Sequence, residues 1–354
     1  MFVFALFEIL HFNRDVNMVS YKDCVMKSAR VHSTLYYLAK TEVMKMNTNE
    51  IYQYLLTILP QDDLKQDEPL KNYTYIKVGG KADIFVTPST YEDVQRVVRY
   101  AHEHQVPLTC VGYGSNVIIR DGGIRGITMS LVKLNSIHVS EHERTITAQS
   151  GAAIIDASRT ALAHSLTGLE FACGIPGTVG GALYMNAGAY GGEISFVLAK
   201  AIAVTLQGEM YHLSREDFAF GYRQSSFASN HAIILEATFE LEEGVYAAIK
   251  EKMDELTYLR ESKQPLEYPS CGSVFKRPPQ HFAGKLIQDS GLQGTKIGGV
   301  EVSTKHAGFM VNVSNGTAQD YIELITFVQT TVQQKFGVML ETEVKIIGED
   351  NVAE

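Results

Sequence analysis

Between Gly174 and Gly192, seven of nineteen residues are glycine, where the chain's overall 29 in 354 would supply one or two. The segment reads Gly174-Ile-Pro-Gly-Thr-Val-Gly-Gly-Ala-Leu-Tyr-Met-Asn-Ala-Gly-Ala-Tyr-Gly-Gly192. Glycine tolerates positive φ and lets a ligand approach the main chain, so amide N–H groups freed along such a segment can bind phosphate. A second cluster, Gly112-Tyr-Gly-Ser-Asn116, falls between two expected strands, where loop amides and the Ser and Asn side chains can form an anion nest. Each cluster alone also fits turns in a strand-rich fold. Neither contains G-x-G-x-x-G, and no G-x-x-x-x-G-K-[ST] occurs in the chain, which disfavours Rossmann and Walker sites.

Charge narrows the chemistry further. Lys plus Arg total 31 against 40 Asp plus Glu, a formal charge of −9, which argues against a nucleic-acid partner held by a broad basic field. An acidic chain that binds a diphosphate must rely on locally convergent donors. Cys24, Cys110, Cys173 and Cys271 lie far apart with no C-x-x-C pair, the pattern of neither a metal site nor a disulfide framework, so a reducing cytoplasm fits best.

The elements that must carry these loops are legible from about residue 81. Ala82–Val86 reads as a strand, Pro88 breaks it, and Ser89-Thr-Tyr-Glu92 is a capping-box signature for a helix with Val94, Val97, Val98 and Ala101 on one face. Val106–Val111 reads as a buried strand. Short strands follow at Ile127–Leu131, Ile137–Val139 and Thr145–Ala148, then a helix at Ala152–His164 and strands at Ala201–Leu206 and Ile233–Phe239. A charged helix from Val245 to Lys263 marks a boundary. Beyond it, a helix at Phe282–Asp289, a strand at Phe309–Val313 and a long helix at Ala318–Phe336 are expected, the last capped by Thr317 and ended by Gly337. Val338–Ile347 reads as a final strand whose Met339, Glu341, Glu343 and Lys345 face is charged and solvent-exposed. At 354 residues and 45% hydrophobic, two or more packed units are expected.

The apolar opening Met1–Phe12 carries Glu8, lacks a basic flank and is too short to span a bilayer, so no membrane insertion is expected. Ile51, Leu55, Leu56 and Leu59 open an amphipathic helix just after Met46, the expected functional start, with residues 1–45 loosely packed or disordered. No oligomeric contact is legible, and a monomer is favoured.

Several ordered motifs then coincide. Tyr73-Thr-Tyr-Ile-Lys-Val-Gly-Gly80, Gly112–Asn116, Gly174–Tyr190, Gly221-Tyr-Arg-Gln-Ser-Ser226, Tyr268-Pro-Ser-Cys-Gly-Ser-Val-Phe-Lys276, Ala283-Gly-Lys-Leu-Ile-Gln-Asp289, Ile297-Gly-Gly299, His306-Ala-Gly-Phe309 and Glu341-Thr-Glu-Val-Lys-Ile-Ile-Gly348 resemble the UDP-N-acetylenolpyruvoylglucosamine reductases over about residues 46–349. Because no tyrosine-bearing loop is inserted before Arg260-Glu-Ser-Lys263, the chain is similar to the shorter, type II branch. The resemblance implies an α+β protein: a flavin-binding fold of the vanillyl-alcohol-oxidase type in an N-terminal unit (residues 46–243), a substrate-binding unit (244–337) and a last strand (338–354) returning to the first. It implies a cytoplasmic enzyme of peptidoglycan precursor synthesis, which uses non-covalent FAD and NADPH to reduce UDP-N-acetylglucosamine enolpyruvate to UDP-N-acetylmuramate.

By the same resemblance, Arg223 polarises the enolpyruvyl carboxylate, Ser273 protonates carbon and Glu343 is a catalytic acid that stabilises the enol intermediate. FAD is expected on Gly112, Tyr113, Gly114, Ser115, Asn116, Val117, Pro176, Gly177, Thr178, Gly180, Gly181, Asn186, Gly188 and Ile233. Substrate is expected on Tyr190, Lys263, Lys276 and His306, with Lys263 against the UDP diphosphate. Lys345 stands where the family commonly has an arginine near the flavin. No metal is expected. Two other readings stay open at this point: an FAD-dependent oxidase of a sugar or alcohol on the same fold, and a catalytically silent nucleotide-binding module. Neither glycine cluster contains the histidine through which many such oxidases attach FAD.

Overall fold

Ile51, Leu55 and Leu59 recur at helical spacing and are all buried, seating the helix Thr48–Ile58 against strands Leu64–Pro69 and Lys81–Val86 and the helix Tyr91–Glu103. The computed structural model describes residues 47–351. The expectations placed on Met46 and on residues 1–45 lie outside them. Thr48–Glu354 form one compact unit.

A four-stranded sheet runs in the order Leu64–Pro69, Lys81–Val86, Ile124–Ser130, Leu108–Val111, antiparallel at its first pair and parallel at the other two. Leu64–Pro69 is an edge strand with one fully buried residue, which explains why the polar Lys65-Gln-Asp-Glu-Pro69 carries no hydropathy signal. Val94, Val97, Val98 and Ala101 of the following helix are all buried, as their spacing required. Its cap lies one residue beyond the expected capping box: Thr90 accepts the Asp93 amide, because the Ser89 hydroxyl instead bonds the buried Asp63 carboxylate at 3.1 Å. The strand expected to be buried at Val106–Val111 is shorter, Leu108–Val111, and only Val111 is buried. It forms the other edge of the sheet and opens onto a cleft.

The next sheet is wholly antiparallel, in the order Met210–Ser214, Leu198–Val204, Ile233–Glu240, Thr145–Gln149, Ile137–Ser140. Its core joins Ile146, Ala148, Ala237 and Phe239 to the helix Ile154–Ala163 and the short helix Val179–Met185. The helix Tyr246–Lys263 then leads to a third sheet of Ser270–Ser273, Phe309–Asn312, Val300–Val302 and Lys296–Ile297. Over this sheet lies the helix Ala318–Phe336, with Thr317 and Asp320 forming its capping box and Gly337 ending it at φ 69°. Tyr321, Leu324, Val328 and Val332 are buried beneath it, in a core that also takes Ile76, Val78 and Ile118 from the first part of the chain.

The final strand is shorter than its alternation suggests. Only Lys345–Ile347 is strand, parallel to Val117–Ile119, and before it Thr342 makes a single bridge to Phe275. The expected solvent-exposed face of Met339, Glu341, Glu343 and Lys345 fails at Glu343, whose side chain is only 13% exposed. The segment crosses the site between two elements, so one of its charged residues turns inward. Among the described residues, no helix is long and apolar enough to cross a membrane.

Candidate active site

The two glycine clusters meet at a cleft of about 1210 Å³. The Gly112–Asn116 loop follows the edge strand Leu108–Val111, and its Ser115 hydroxyl donates to the Pro176 carbonyl at 2.8 Å. Thr178 caps the helix Val179–Met185 by accepting the Gly181 amide at 3.1 Å. A Cβ on Gly112 would lie 2.7 Å from that same Thr178 oxygen, so only glycine lets the two loops approach. The amides of Tyr113, Gly114, Ser115, Asn116, Gly177 and Thr178 donate to no acceptor among the described residues. Buried or cleft-facing amides seek a partner, and six of them around one hollow suit an anion with several oxygens. These loops therefore fit the pyrophosphate of a dinucleotide, and the cleft exceeds the ordinary size of a small-ligand site, leaving room for a second ligand.

Of the expected cofactor residues, Gly112, Tyr113, Gly114, Ser115, Asn116, Val117, Pro176, Gly177, Thr178, Gly180, Gly181, Gly188 and Ile233 line the cleft. Asn186 does not. It is buried as the left-handed C-cap of Val179–Met185, donating to Glu193 and the Gly221 carbonyl and accepting the Ser195 amide. Its place is that of a structural support for the loop ahead of Gly188.

Arg223, Ser273 and Glu343 come together on the cleft wall from three distant parts of the chain. Arg223 sits at φ 57° in the two-residue turn between Phe220–Gly221 and Gln224–Ser225, a backbone state costing about 1 kcal/mol or more for a non-glycine residue. Its Nε donates to Glu343 Oε1 at 2.6 Å and one Nη to the Gly188 carbonyl at 3.2 Å. Since a guanidinium has five N–H donors, three remain for a ligand. Glu343 is fixed on both sides: its amide donates to the Val274 carbonyl at 2.8 Å, and its carbonyl accepts from Asn116 Nδ2 at 3.2 Å. Ser273 ends the strand Ser270–Ser273, paired with Phe309 after a register shift that leaves Cys271 and Gly272, the latter at φ 79°, without partners in the ladder. Its hydroxyl makes no hydrogen bond to a described residue, which leaves its proton available to a ligand.

Electrostatics agree with the anion cradle. Arg223, Arg260, Arg277, Lys285, Lys305 and Lys345 line the cleft against a single carboxylate, Glu343, although the chain as a whole is acidic. His306 lines it too. Burial pulls its imidazole pKa down, and Nδ1 accepts the Gly308 amide at 3.1 Å, which leaves the proton on Nε2 in the neutral ring. The other expected substrate residues stand outside the lining. Lys263 is exposed, Tyr190 is 47% exposed at the rim, and Lys276 is paired with Glu341 at 3.1 Å over a separate hollow of about 170 Å³. Arg260 was not anticipated. Its signal was nonetheless present, because it continues the Ile249, Met253, Leu256 stripe that buries one face of its helix.

Comparison with known proteins agrees with this geometry. A family model described as the UDP-N-acetylenolpyruvoylglucosamine reductase C-terminal domain matches residues 264–347, and one described as an FAD binding domain matches residues 82–214. The chain is 70% identical over 305 residues to UDP-N-acetylenolpyruvoylglucosamine reductase 2 of Bacillus cereus, covering 86% of this chain and 99% of that protein. It is 59% identical over 304 residues to the UDP-N-acetylenolpyruvoylglucosamine reductase of Staphylococcus aureus, covering 86% and 98%. The crystal structure of the Thermus caldophilus reductase superposes with a TM-score of 0.68 at 29% identity, covering 80% of this chain and 97% of that one. On these grounds the chain belongs to the UDP-N-acetylenolpyruvoylglucosamine reductase family.

Proposed function

We propose that this protein is an NADPH-dependent, FAD-containing reductase that converts UDP-N-acetylglucosamine enolpyruvate to UDP-N-acetylmuramate, in the cytoplasm, as a step of peptidoglycan precursor synthesis. The observation that carries the reading is the meeting of the Arg223–Glu343 pair with the unpartnered Ser273 hydroxyl in the cleft bounded by both glycine loops. FAD, when bound, would supply the hydride chemistry between NADPH and the alkene; the amides of Tyr113, Gly114, Ser115, Asn116, Gly177 and Thr178 are the groups that would hold its pyrophosphate.

Hydride addition to one carbon of an enolpyruvyl group sends negative charge onto its neighbour and the attached carboxylate. Arg223 takes that carboxylate with its free N–H donors, a fork held in orientation by Glu343 and the Gly188 carbonyl. Glu343 leaves its second carboxyl oxygen unused by Arg223, and a proton bound on that oxygen is the one it would donate to the developing charge. Ser273 gives its hydroxyl proton to carbon, a step open to so weak an acid because the carbanionic centre is strongly basic. Lys345 supplies positive charge beside the cradle, and His306 Nε2 is a neutral donor on the same wall.

Anaerobic stopped-flow absorbance separates the two half-reactions. With Ser273→Ala, bleaching of the flavin by NADPH is expected to stay near wild type, while its recovery on adding the enolpyruvyl substrate slows by about 10²–10⁴-fold. Equal impairment of both phases would remove Ser273 from its role. A wild-type protein that bleaches with NADPH but never recovers with this substrate would sink the function itself.

A further inference from the structure

We propose that Asn186 and Glu193 are positioning residues for the reaction, which orient the Arg223 fork from behind the cleft wall without touching a ligand. The role rests on the reductase reading and deepens it, because it says what keeps the fork aimed at the enolpyruvyl carboxylate.

Neither residue lines the cleft, yet both bond to what holds Arg223. Asn186, buried at the left-handed end of the helix Val179–Met185, receives the Ser195 amide at 3.0 Å. A backbone N–H can only donate, so the atom it meets is Oδ1, and Asn186 Nδ2 must face the other way. Its two protons go to Glu193 Oε1 at 3.0 Å and to the Gly221 carbonyl at 3.2 Å. Gly221 is the last paired residue before the turn that carries Arg223. The other arm of that hairpin is tied to the same helix end, since the Ser225 hydroxyl donates to the Tyr184 carbonyl at 2.8 Å.

Glu193 reaches the fork by a second route. It pairs across a two-residue ladder with Gly188, whose carbonyl accepts an Arg223 Nη. A Cβ on Gly188 would stand 2.7 Å from the Glu193 Cβ, so the two segments lie as close as glycine allows. The Glu193 carboxylate forms no ion pair among the described residues; its partners are Asn186 Nδ2 and the Ser195 hydroxyl, and both donate to Oε1. The backbone and one Nη of Arg223 thus hang from a single amide–carboxylate pair. An arginine at φ 57° keeps that backbone state only where its surroundings over-determine it.

A double-mutant cycle followed by anaerobic stopped flow tests the role on the FAD-loaded enzyme. Glu193→Ala is expected to leave bleaching by NADPH within about two-fold of wild type, because NADPH has no enolpyruvyl carboxylate for the fork to take. Flavin recovery at saturating enolpyruvyl substrate should slow by about thirty-fold, within the loss that a misplacement of roughly 1 Å brings. Glu193→Gln keeps the one oxygen that both donors use, and its recovery should lie within about three-fold of wild type. In an Arg223→Ala background, Glu193→Ala should change recovery by less than about two-fold, because no fork is left to orient. Where that background is too slow to follow, the same cycle is read as affinity of the oxidised enzyme for the substrate, by isothermal titration. Where Glu193→Ala yields no folded protein, Asn186→Asp takes its place in the cycle: it tolerates the left-handed backbone but sets an acceptor against Glu193 and the Gly221 carbonyl. Equal slowing of both half-reactions, loss of flavin, no rescue by glutamine, or the same loss with Arg223 already removed would overturn the inference. A wild type that bleaches with NADPH but never recovers with this substrate would overturn the reductase reading instead.

Discussion

The close approach of the two loops can be tested by giving Gly112 a methyl group. Its Cβ would stand 2.7 Å from Thr178 Oγ1, and that oxygen already accepts the Gly181 amide as the cap of Val179–Met185. Overpacking costs roughly 1–3 kcal/mol and loss of a cap about 1. Gly112→Ala is therefore expected to destabilise the flavin-free protein by about 2 kcal/mol. Thr178→Ala, which loses only the cap, should cost about 1 kcal/mol. With the hydroxyl gone, the new methyl group meets only ordinary contacts from what remains of residue 178. The double variant should then cost about 1 kcal/mol, where additivity would give about 3, a coupling of about 2 kcal/mol. Urea denaturation followed by far-UV circular dichroism gives the stabilities, and titration with FAD gives the cofactor affinity, with no tryptophan emission in the way because the chain has none. If Gly112→Ala costs the same with and without the threonine, the clash is elsewhere and the account of the cradle is wrong.

Two further perturbations read other parts of the structure. Because His306 is half-buried in its neutral form with its pKa below the ordinary 6.5, the unfolded chain binds more protons between those values; the stability this ring contributes is complete above 6.5 and is lost as pH falls through the folded value. His306→Gln should therefore gain in urea midpoint relative to wild type between about pH 7.5 and about pH 5, and parallel pH profiles would count against it. Thr317→Ala should cost about 1 kcal/mol by removing the capping box of Ala318–Phe336, without changing flavin content; a loss of flavin would mean that this helix does more than support the C-terminal core.

Much of the scaffold was written in local chemistry. Thr317, Gly337 and the periodic apolar residues between them define the longest helix among the described residues without reference to anything distant, and Val94, Val97, Val98 and Ala101 do the same for an earlier one. The site was less legible, because its residues are aimed by contacts remote in sequence. Ser273 is turned toward the cleft by Gly272 and by a shifted register against Phe309, neither of which is a pattern in its own neighbourhood. Glu343 belongs to an alternating segment that reads as solvent-facing until Arg223 and Asn116 are placed against it. Resemblance to a family supplied those residues where periodicity had none to offer. It also carried Lys263 and Lys276 to positions that stand outside the cleft lining here, and it was silent on Arg260, which the buried stripe of its helix points to.

The clamp between Asn116 and the segment at Glu343–Lys345 has a consequence for how the enzyme is made. Asn116 donates to the Glu343 carbonyl and accepts the Lys345 amide at 3.0 Å, and the Val117–Ile119 strand has Lys345–Ile347 as its partner, 228 residues downstream. On a ribosome adding about 5–20 residues per second, the first loop must wait roughly 10–50 s before its partner has been synthesised. Prosthetic-group capture would thus wait for that downstream segment, and a nascent chain stalled or clipped ahead of residue 343 would be inert however well its earlier sheets had formed.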